Sequence, residues 1–495
     1  MKKLVILGGG TAGTMAANKL RAAVPATHLE ITVVDRDDQH HYQPGYLFLP
    51  FGTYTVDDIV KSRHSFIHEG INLIISEIAG VDADAKTVEL ADGRELDYDY
   101  LIIATGTHPR PDMVEGLTDH LGKTAHEFYT LEGAKALTEV VKKFKRGRLV
   151  IHVSEMPIKC PVAPLEFTFL ADDFLRKNGR RKNIEIVYVT PLDGAFTKPV
   201  ASRELGNALS DRHIALETDF AIEHVEADRI VSFDGREIAF DLLVTVPPNL
   251  GADFLATSGL GDDMNYVPCD QQTMESLAYP GTIWVLGDGG TLKTSKAGAV
   301  AHFSVEIFIE NFVNMLKGQP QHAKFDGHAN CFIESGNGKG MLLDFNYDTE
   351  PFTGSFPFAK VGPMGLLKET RINHLSKLAF KWVYWNMLLP GRKIPLPAAM
   401  SLHGKNVETG VASSADAMPT GAPSSSAPAA ANPRPKPVLK TTPIHKSIKL
   451  RTPPKATPPR ESGEIKPVVP VHTGPATNST VPADQVLASP IIPKF

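Results

Sequence analysis

A glycine-rich turn near the start of the chain constrains its fold more than any other segment. The residues Gly8-Gly9-Gly10-Thr11-Ala12-Gly13 fit the pattern G-x-G-x-x-G. The turn follows an apolar run from Leu4 to Leu7 and opens a helical stretch from Gly13 to Ala23, and a second apolar run extends from Leu29 to Val34. A strand, a turn of this kind, a helix and a second strand together predict a βαβ unit on a parallel sheet.

The glycines of this turn predict a phosphate-binding loop. Gly8 permits the tight turn, Gly10 lets the backbone approach a pyrophosphate, and Gly13 lets the helix pack closely on the strand. The helix N-terminus presents free N–H groups to the phosphate, and Asp35 at the end of the second strand can bind ribose hydroxyls. The expected cofactor contacts in this unit are Gly8, Gly10, Thr11, Ala12, Gly13 and Asp35.

Two later segments indicate which dinucleotide is bound. Tyr100-Leu101-Ile102-Ile103-Ala104-Thr105-Gly106 resembles the Ala-Thr-Gly segment of flavoproteins with two dinucleotide-binding domains. Leu286-Gly287-Asp288 resembles the second FAD motif of that class, in which the aspartate contacts the ribitol chain. The resemblance implies FAD as the cofactor, with contacts from Ala104, Thr105, Gly106, Gly287 and Asp288.

A second α/β unit is expected from the apolar runs Leu149 to Val153 and Ile184 to Val189. In NADH-using members of the same class a second glycine loop follows the first of these strands. Here the strand is followed by Ser154-Glu155-Met156-Pro157, without glycine. Because a backbone without glycine cannot easily approach a second pyrophosphate, nicotinamide is not expected as the electron donor.

Two cysteines stand far apart in the sequence, in segments that resemble one family. Cys160 lies in Lys159-Cys160-Pro161-Val162-Ala163-Pro164, and Cys331 ends Phe325-Asp326-Gly327-His328-Ala329-Asn330-Cys331, ahead of Asp344-Phe345-Asn346-Tyr347. These segments resemble those around the redox cysteines of sulfide:quinone oxidoreductases and of the flavin subunit of flavocytochrome c sulfide dehydrogenase. The resemblance covers roughly residues 1 to 395.

The resemblance implies a redox disulfide between Cys160 and Cys331. Hydrosulfide would attack it, leaving a persulfide on one cysteine and a thiolate on the other, and two electrons would reach FAD. Such exchange needs an accessible disulfide and a good leaving thiolate. Glu166 is a candidate proton carrier. Lys296 matches the family's Pro-Lys-Thr-Gly segment as a cation near the flavin, and Lys293 is the competing candidate.

The third cysteine and the segment after the second strand bear on how FAD is held. Cys269 matches no redox position of the family and is expected to be structural. In flavocytochrome c subunits a cysteine in the segment corresponding to His41-Tyr42-Gln43-Pro44-Gly45-Tyr46 binds FAD covalently, and this chain has none there. We therefore expect non-covalent FAD. The cysteine spacing matches no zinc motif, and no metal site is expected.

A segment near residue 380 predicts contact with a membrane from one side. Lys377, Lys381 and His374 are expected on one face of a helix, and an apolar stripe on another face is formed by Leu375, Leu378, Ala379, Trp382 and Val383. An apolar stripe with aromatic residues and flanking lysines is typical of an interfacial helix. The wider segment, residues 363–395, resembles the membrane-docking segment of bacterial sulfide:quinone oxidoreductases. Gly298, Phe358 and Tyr384 are candidates for lining a quinone channel.

The fold class expected is α/β, with two Rossmann-like dinucleotide-binding-type domains, a C-terminal membrane-docking region and a disordered tail. The tail is expected because Pro, Ala, Ser and Thr dominate after about residue 410 and cannot bury enough apolar surface. The expected boundaries are residues 1–110 with 275–320 for the FAD domain, 111–274 for the second domain, 321–395 for the docking domain and 410–495 for the tail.

Composition excludes several functional classes. A net charge of −5 over 495 residues gives no argument for nucleic-acid binding. The N-terminal Met1-Lys2-Lys3 runs straight into a strand, so no secretory signal is expected. No apolar run is long enough for a transmembrane helix. The sequence leaves the oligomeric state open, a homo-oligomer included.

The sequence therefore predicts a peripheral FAD enzyme, on the bacterial inner membrane, that oxidises sulfide and reduces a membrane quinone. One alternative is a sulfide dehydrogenase subunit that passes electrons to a cytochrome. A second is an NADH:quinone oxidoreductase, and a third is a non-catalytic flavin-binding sensor or scaffold. The identity of the quinone, the membrane side, the sulfur product and the cysteine that carries the persulfide stay open.

Overall fold

A five-stranded parallel sheet carries the glycine-rich turn at the carboxyl end of its central strand. The computed structural model that shows it describes residues 1–357 and 362–407, so the predicted tail at 410–495 lies outside the described residues. In spatial order the strands of this first sheet are Ile283–Val285, Tyr100–Ile103, Lys2–Leu7, Leu29–Asp35 and Asn72–Ile75. The predicted strands at Leu4 and Leu29 are confirmed, each within a few residues.

A second five-stranded parallel sheet is formed by the middle of the chain. Its central strand, Gly147–Val153, is buried from Leu149 onward, as expected for a parallel sheet covered on both faces. The strands in spatial order are Ala125–His126, Leu242–Val246, Gly147–Val153, Ile184–Val189 and Ala215–Glu217. The segment that follows the central strand leads directly to Cys160.

A four-stranded sheet near the end of the described chain carries Cys331. Its strands in spatial order are Ala329–Gly336, Lys339–Phe345, Met364–Leu366 and Gly354–Phe356. Two three-stranded meanders lie beside the large sheets, with strands Ile78–Asp82, Thr87–Leu90 and Glu95–Asp97, and Ile222–Val225, Arg229–Ser232 and Glu237–Ala239. Two-stranded pairs join Gln39–His41 to Val60–Ser62 and His108–Pro109 to Asn249–Leu250.

Helices cover the sheets and connect them. The longer ones are Thr11–Ala23, Leu131–Lys143, Ala163–Lys177, Pro199–Ser210, Gly298–Leu316 and Arg371–Val383, and the shorter α-helices are Val56–Ile59, Leu117–His120 and Asp253–Thr257. Short 3-10 helices cover Gln43–Phe48, Arg63–Phe66, Pro111–Met113 and Arg181–Asn183, and a π-helical turn covers Tyr384–Leu388. The helix that begins at Ala163 packs against the strand of Cys331.

The C-terminal helix, Arg371–Val383, continues into the π-helical turn, which is fixed to the first helix of the chain. Asn18 Nδ2 donates to the carbonyl oxygen of Leu389 at 2.6 Å, and Lys19 Nζ donates to that of Gly391 at 3.3 Å. In the described part of the chain no helix has both the length and the apolar character needed to cross a bilayer. The C-terminal segment thus lies against the helix that opens the glycine-rich turn.

Candidate active site

One cleft, of about 210 Å³, brings together the glycine-rich turn, the segments at Ala104 and Asp288, and the segment of Cys160. It lies where the carboxyl ends of the first sheet's strands meet the Cys160 segment and the C-terminal helix. Its lining includes Gly10, Thr11, Ala12, Ala104, Thr105, Gly106, Cys160, Glu166, Gly287, Asp288, Lys296, Gly298, Lys377 and Tyr384. Ligands bind at this edge in open α/β sheets.

The glycine-rich turn has the shape that a bound pyrophosphate requires. Gly8 has a φ of +96°, and a Cβ there would lie 2.5 Å from the carbonyl oxygen of Ala104. A Cβ on Gly13 would collide with the carbonyl oxygen of Gly8, whereas one on Gly10 would meet nothing within 4 Å. Close packing at Gly8 and Gly13 and open space at Gly10 are what the predicted roles of the three glycines demand.

The polar groups beside the turn fit an anionic dinucleotide. The helix from Thr11 has no acidic residue in its first turn and no side-chain cap, so its N-terminal N–H groups are available to a phosphate. Among the described residues, the buried hydroxyl oxygens of Thr105 and Thr107 have no hydrogen-bond partner. Buried polar atoms are normally paired. These residues therefore fit FAD, the cofactor that the sequence motifs imply.

Asp35 is already engaged by the protein. Its carboxylate accepts a hydrogen bond from the Gly9 backbone N–H at 2.7 Å and lies 3.1 Å from the guanidinium of Arg63. Burial raises the pKa of Asp35, although Arg63 opposes the shift. Arg63 is buried and donates to the carbonyl oxygens of Gly9 and Gln39. The sequence analysis missed Arg63, because no motif connects it to the glycine-rich turn.

The Cys160 segment is held against the residues that follow the second FAD motif. The Cys160 backbone N–H donates to the carbonyl oxygen of Lys296 at 2.6 Å, and the Tyr129 hydroxyl donates to the Cys160 carbonyl oxygen at 3.2 Å. Cys160 has a φ of +49°, in the left-handed region that non-glycine residues rarely adopt. Such strained residues are concentrated at functional sites.

Of the two candidate lysines near the second FAD motif, Lys296 is the buried one. Its Nζ donates to the carbonyl oxygens of Asp288 and Gly290, both at 2.8 Å, and lies 4.1 Å from the ring centre of Tyr266. Burial lowers the pKa of Lys296 and raises that of Asp288. Lys293, the competing candidate, is exposed. The structure thus brings Lys296 into the cleft and leaves Lys293 outside it.

The two cysteine segments meet through the helix that follows Cys160. Glu166, in the first turn of that helix, accepts a hydrogen bond from the Glu334 backbone N–H at 2.8 Å, three residues beyond Cys331. Glu166 is buried and pairs with the ammonium of Lys377, which also donates to the carbonyl oxygen of Phe332 at 3.0 Å. Glu166 is therefore an internal ion-pair partner rather than a surface acid.

The lysines of the C-terminal helix pair with acidic residues of the protein. Lys377 and Lys381 lie on a face of their own, as expected, and that face points to other parts of the chain. Lys377 points to Glu166, and Lys381 Nζ lies 2.7 Å from the carboxylate of Asp58. The basic face of an amphipathic helix can point into the protein when acidic side chains pair with it. The sequence pattern shows that the helix has an apolar and a basic face, but not which of them points to solvent.

Both cysteines of the predicted pair are free thiols in the structure. Burial raises the pKa of Cys160 to about 12, Glu166 adds to the rise, and Lys377 opposes it. Burial also raises the pKa of Cys331, with a further contribution from the neighbouring Cys160 and an opposing one from Lys377. The same cation therefore acts on both sulfur atoms, and Cys160 is near enough to Cys331 to influence its pKa.

The remaining predicted residues fall into separate surroundings. Gly298 opens the long helix Gly298–Leu316 and lines the cleft. The Tyr384 hydroxyl lies 2.7 Å from Thr11 Oγ1 and 2.8 Å from His40 Nε2, at the glycine-rich turn. Phe358 lies outside the described residues. Cys269 is buried beside Thr291 and Gly290, away from the other two cysteines in the hydrogen-bond network.

The outer face of the C-terminal helix carries exposed apolar side chains. Leu375 and Trp382 are 60% and 61% exposed, and Ile372 and Ala379 are exposed on the same face. Residues spaced by three and four positions share one side of a helix. Leu378 and Val383, which the sequence analysis placed in the same stripe, pack instead against the core.

Comparisons with known proteins agree with this geometry. The profile of the family described as Pyridine nucleotide-disulphide oxidoreductase matches residues 2–151. The mitochondrial sulfide:quinone oxidoreductase of Dictyostelium discoideum is 28% identical over 399 residues, covering 79% of this chain and 86% of that protein. The mouse (Mus musculus) mitochondrial sulfide:quinone oxidoreductase is 26% identical over the same shares of the two chains.

The solved structure of the sulfide:quinone oxidoreductase from Aquifex aeolicus superimposes with a TM-score of 0.68 at 21% identity, covering 79% of this chain and 92% of that one. The chain has the α/β fold of that structure, and its residues 2–151 match the family of the pyridine nucleotide-disulphide oxidoreductases. Over 79% of its length the chain is a homologue of the sulfide:quinone oxidoreductases.

Proposed function

We propose that this chain is an FAD-dependent sulfide:quinone oxidoreductase that oxidises sulfide at a Cys160–Cys331 disulfide and passes two electrons to a membrane quinone. One observation carries the proposal. Two cysteines distant in sequence lie near one buried cation. Cys160 lines the cleft beside the dinucleotide motifs, and Lys377 donates to the carbonyl oxygen of Phe332, next to Cys331, and influences both thiols. The names of the homologous proteins support the same reaction.

The sulfur step begins from the oxidised cysteine pair. Hydrosulfide attacks one sulfur of the disulfide, a new S–S bond forms, and the old one breaks. The products are a persulfide, which keeps the hydrogen of hydrosulfide, and a thiolate on the other cysteine. Thiol–disulfide exchange of this kind is favoured when the leaving thiolate is stabilised.

Lys377 is positioned to stabilise that thiolate. Burial raises the pKa of both cysteines, so a thiolate in this pocket needs a nearby positive charge. Lys377 is enclosed in the protein and remains paired with Glu166, and the attraction of Glu166, Cys160 and Glu334 for its ammonium outweighs burial and raises its pKa. The ammonium is therefore present when the thiolate forms.

FAD, when bound, supplies a two-electron acceptor beside the cysteines and a donor to the quinone. Gly8, Gly10 and the N-terminal amides of Thr11 and Ala12 are proposed to hold its pyrophosphate, and Asp288 its ribitol chain. Lys296, fixed by two carbonyl oxygens, would place a positive charge where the isoalloxazine gains electron density. The three cysteines of the chain all lie outside the His41–Tyr46 segment, which supports non-covalent binding.

The quinone and the membrane are proposed to approach through the C-terminal segment. The exposed stripe of Ile372, Leu375, Ala379 and Trp382 would enter one leaflet, because aromatic and aliphatic side chains partition to the bilayer boundary. Gly298 remains a candidate for lining the quinone channel. The Tyr384 hydroxyl is engaged with Thr11 and His40, so only its ring is free for such a role. We propose a peripheral location on a membrane surface, with the bacterial inner membrane as the expected one.

A steady-state assay tests this function. The purified protein, loaded with FAD, is given a short-chain quinone and either sulfide or NADH as the donor. Quinone reduction with sulfide and its absence with NADH is expected, since the chain lacks the second glycine loop. Reduction with NADH alone would contradict the proposal and favour an NADH:quinone oxidoreductase. Sulfide-dependent reduction of cytochrome c without reduction of quinone would favour a cytochrome-linked dehydrogenase.

A further inference from the structure

A buried group of side chains near Cys331 contains more acidic groups than basic ones. Glu166, Glu334 and Lys377 supply two carboxylates and one ammonium, and Lys377 is paired with Glu166. Buried charges persist when they are paired and hydrogen-bonded. Glu334 is therefore balanced only if a further proton resides on its own carboxyl group or on a neighbouring base.

His374 is that neighbouring base. Its Nδ1 lies 2.8 Å from Glu334 Oε2, and 25% of its side chain is exposed, whereas the Glu334 side chain is buried. The other oxygen of that carboxyl group, Oε1, is buried and has no hydrogen-bond partner among the residues that the structure describes. The imidazole therefore reaches both solvent and a buried carboxyl group that retains an unused acceptor.

The strand Ala329–Gly336, which carries both Glu334 and Cys331, connects the His374–Glu334 pair to the cysteines. The backbone N–H of Glu334 donates to Glu166 Oε1 at 2.8 Å, and Lys377 lies between the carboxylate of Glu166 and the carbonyl oxygen of Phe332, the residue next to Cys331. Lys377 also lies one helical turn from His374 on the inner face of the C-terminal helix. The titratable groups thus lie close together, from the partly exposed His374 to the residue next to Cys331, and Lys377 is near enough to Glu334 to lower its pKa.

The reaction under "Proposed function" consumes a proton for which the cleft must provide a route. Hydrosulfide, quinone and one proton give elemental sulfur and quinol, so sulfur loses two electrons and the quinone gains them. Hydrosulfide contributes one of the two protons of the quinol, and the second comes from solvent. The C-terminal helix, which carries His374 and Lys377 and borders the cleft, offers a route for that proton.

We propose that His374 and Glu334 carry this proton from solvent to the Lys377–Glu166 pair, which lines the cleft proposed to hold the flavin and to admit the quinone. The proposal rests on the proposed function for its stoichiometry, but the residues and contacts stand independently of the electron donor. Since neither His374 nor Glu334 touches the reacting atoms, both act through Lys377 and Glu166 as positioning and relay residues. A general acid–base group operates best when its proton exchanges near the working pH.

The surroundings of His374 support this role. It faces Glu334 on the strand of Cys331, while Glu166 and Asp173 lie on the helix after Cys160 and Lys377 on its own helix. Burial raises the pKa of Glu334 and of Glu166, although Lys377 lowers both. Carboxyl groups in such surroundings take up protons at higher pH than exposed ones do.

The test uses the FAD-bound protein, first reduced with dithionite so that sulfide is not needed, and then mixed with a short-chain quinone from pH 6 to pH 9. We expect His374→Gln to slow reoxidation by about 100-fold, the lower end for a lost acid–base group, and added imidazole to restore most of the rate. His403→Gln, which replaces an exposed histidine, is the matched control and should retain the rate of the unaltered protein.

A second readout follows the proton itself. Infrared difference spectra of the protein, recorded across the same pH range, should contain a band of a buried protonated carboxyl group that Glu334→Gln removes and His374→Gln shifts in pH. An unchanged reoxidation rate in His374→Gln would overturn the proposal, and so would a slowed rate that imidazole does not restore, since that marks a structural defect. A third outcome separates the two proposals. If dithionite reduces the flavin and quinone reoxidises it as expected, but sulfide does not reduce it, the proton route stands and sulfide is rejected as the electron donor.

Discussion

The backbone N–H of Cys160 donates a hydrogen bond to the carbonyl oxygen of Lys296 at 2.6 Å, and the side chain of Lys296 is itself held by the carbonyl oxygens of Asp288 and Gly290. One lysine therefore links the first cysteine to the second FAD motif. Cys160 is fixed in a left-handed conformation at this point. The arrangement positions the sulfur by backbone contacts that do not involve the thiol itself.

The cysteines give the first prediction. Cys160→Ser and Cys331→Ser should each abolish persulfide formation when the protein is treated with sulfide, because either change removes the disulfide that hydrosulfide attacks. Mass spectrometry of the trapped protein checks this, with retained FAD absorbance as the sign of an intact fold. Cys269→Ser is the control and should still form the persulfide. Equal persulfide yields in all three variants would contradict the disulfide mechanism.

The Lys377–Glu166 pair gives a prediction on stability. Lys377→Met leaves the Glu166 carboxylate buried without its cation, which costs about 3–5 kcal/mol at neutral pH for a broken buried pair. Without Lys377 the pKa of Glu166 in the folded state rises further above its unfolded value. The folded state then binds a proton that the unfolded state lacks, so the variant is most stable at low pH and loses stability as pH rises.

Urea unfolding of Lys377→Met at pH 5 and pH 8 measures this difference. The double variant Glu166→Gln with Lys377→Met is the control, since it has no carboxylate to titrate at this position. The double variant should be more stable than Lys377→Met at pH 8 and should lose the added pH dependence. A Lys377→Met variant as stable as the unaltered protein at pH 8 would show that the pair contributes nothing.

The Tyr384 hydroxyl gives a prediction on cofactor retention. Tyr384→Phe removes hydrogen bonds to Thr11 in the glycine-rich turn and to His40. Leaving a buried partner unsatisfied costs about 1–3 kcal/mol, so FAD should dissociate about tenfold faster. Recovery of flavin fluorescence on dilution measures the rate. Tyr54→Phe is the matched control, because the buried Tyr54 hydroxyl has no hydrogen-bond partner among the described residues, and it should leave the rate unchanged.

The exposed stripe gives a prediction on membrane binding. Leu375→Ser and Trp382→Ser should each weaken binding to lipid vesicles by about tenfold, because burying one large apolar side chain is worth about 1.5–3 kcal/mol. Sedimentation with vesicles measures the bound fraction. Phe233→Ser, which removes an apolar side chain that is 73% exposed elsewhere on the surface, should bind as the unaltered protein does. Equal loss in all three variants would contradict docking through the C-terminal helix.

These single substitutions are better tests than removal of the C-terminal segment. A chain truncated before Gly365 would also lose Lys377, which pairs with Glu166, and Tyr384, which contacts Thr11. Loss of such a protein from the membrane fraction would therefore not distinguish a missing docking surface from a damaged cleft.

Features that depend on residues close together in the chain were predicted correctly from the sequence. Glycines at the required spacing, buried apolar strands and the amphipathic period of the C-terminal helix all follow from residues close together in the chain. The strand at Ile184–Val189 and the end of the helix at Ala23 agree with the structure to the residue. The predicted domain boundaries and the roles of the site residues stay predictions.

The sequence could not predict contacts that depend on residues far apart in the chain. Arg63 reaches the glycine-rich turn from a 3-10 helix, and Lys377 reaches Glu166 from the C-terminal helix. The spacing of His374, Lys377 and Lys381 was a usable signal, because three basic residues on one helical face require acidic partners when that face is buried. Only the three-dimensional packing shows that this face points inward.

The most direct test of the central claim is anaerobic stopped-flow absorbance of the FAD-bound protein mixed with sulfide. Bleaching of the flavin in the unaltered protein and in Cys269→Ser, together with its loss in Cys160→Ser and Cys331→Ser, is the predicted result. Bleaching by sulfide at the same rate in all four proteins, or bleaching of the unaltered protein by NADH but not by sulfide, would contradict a sulfide site at the Cys160–Cys331 pair.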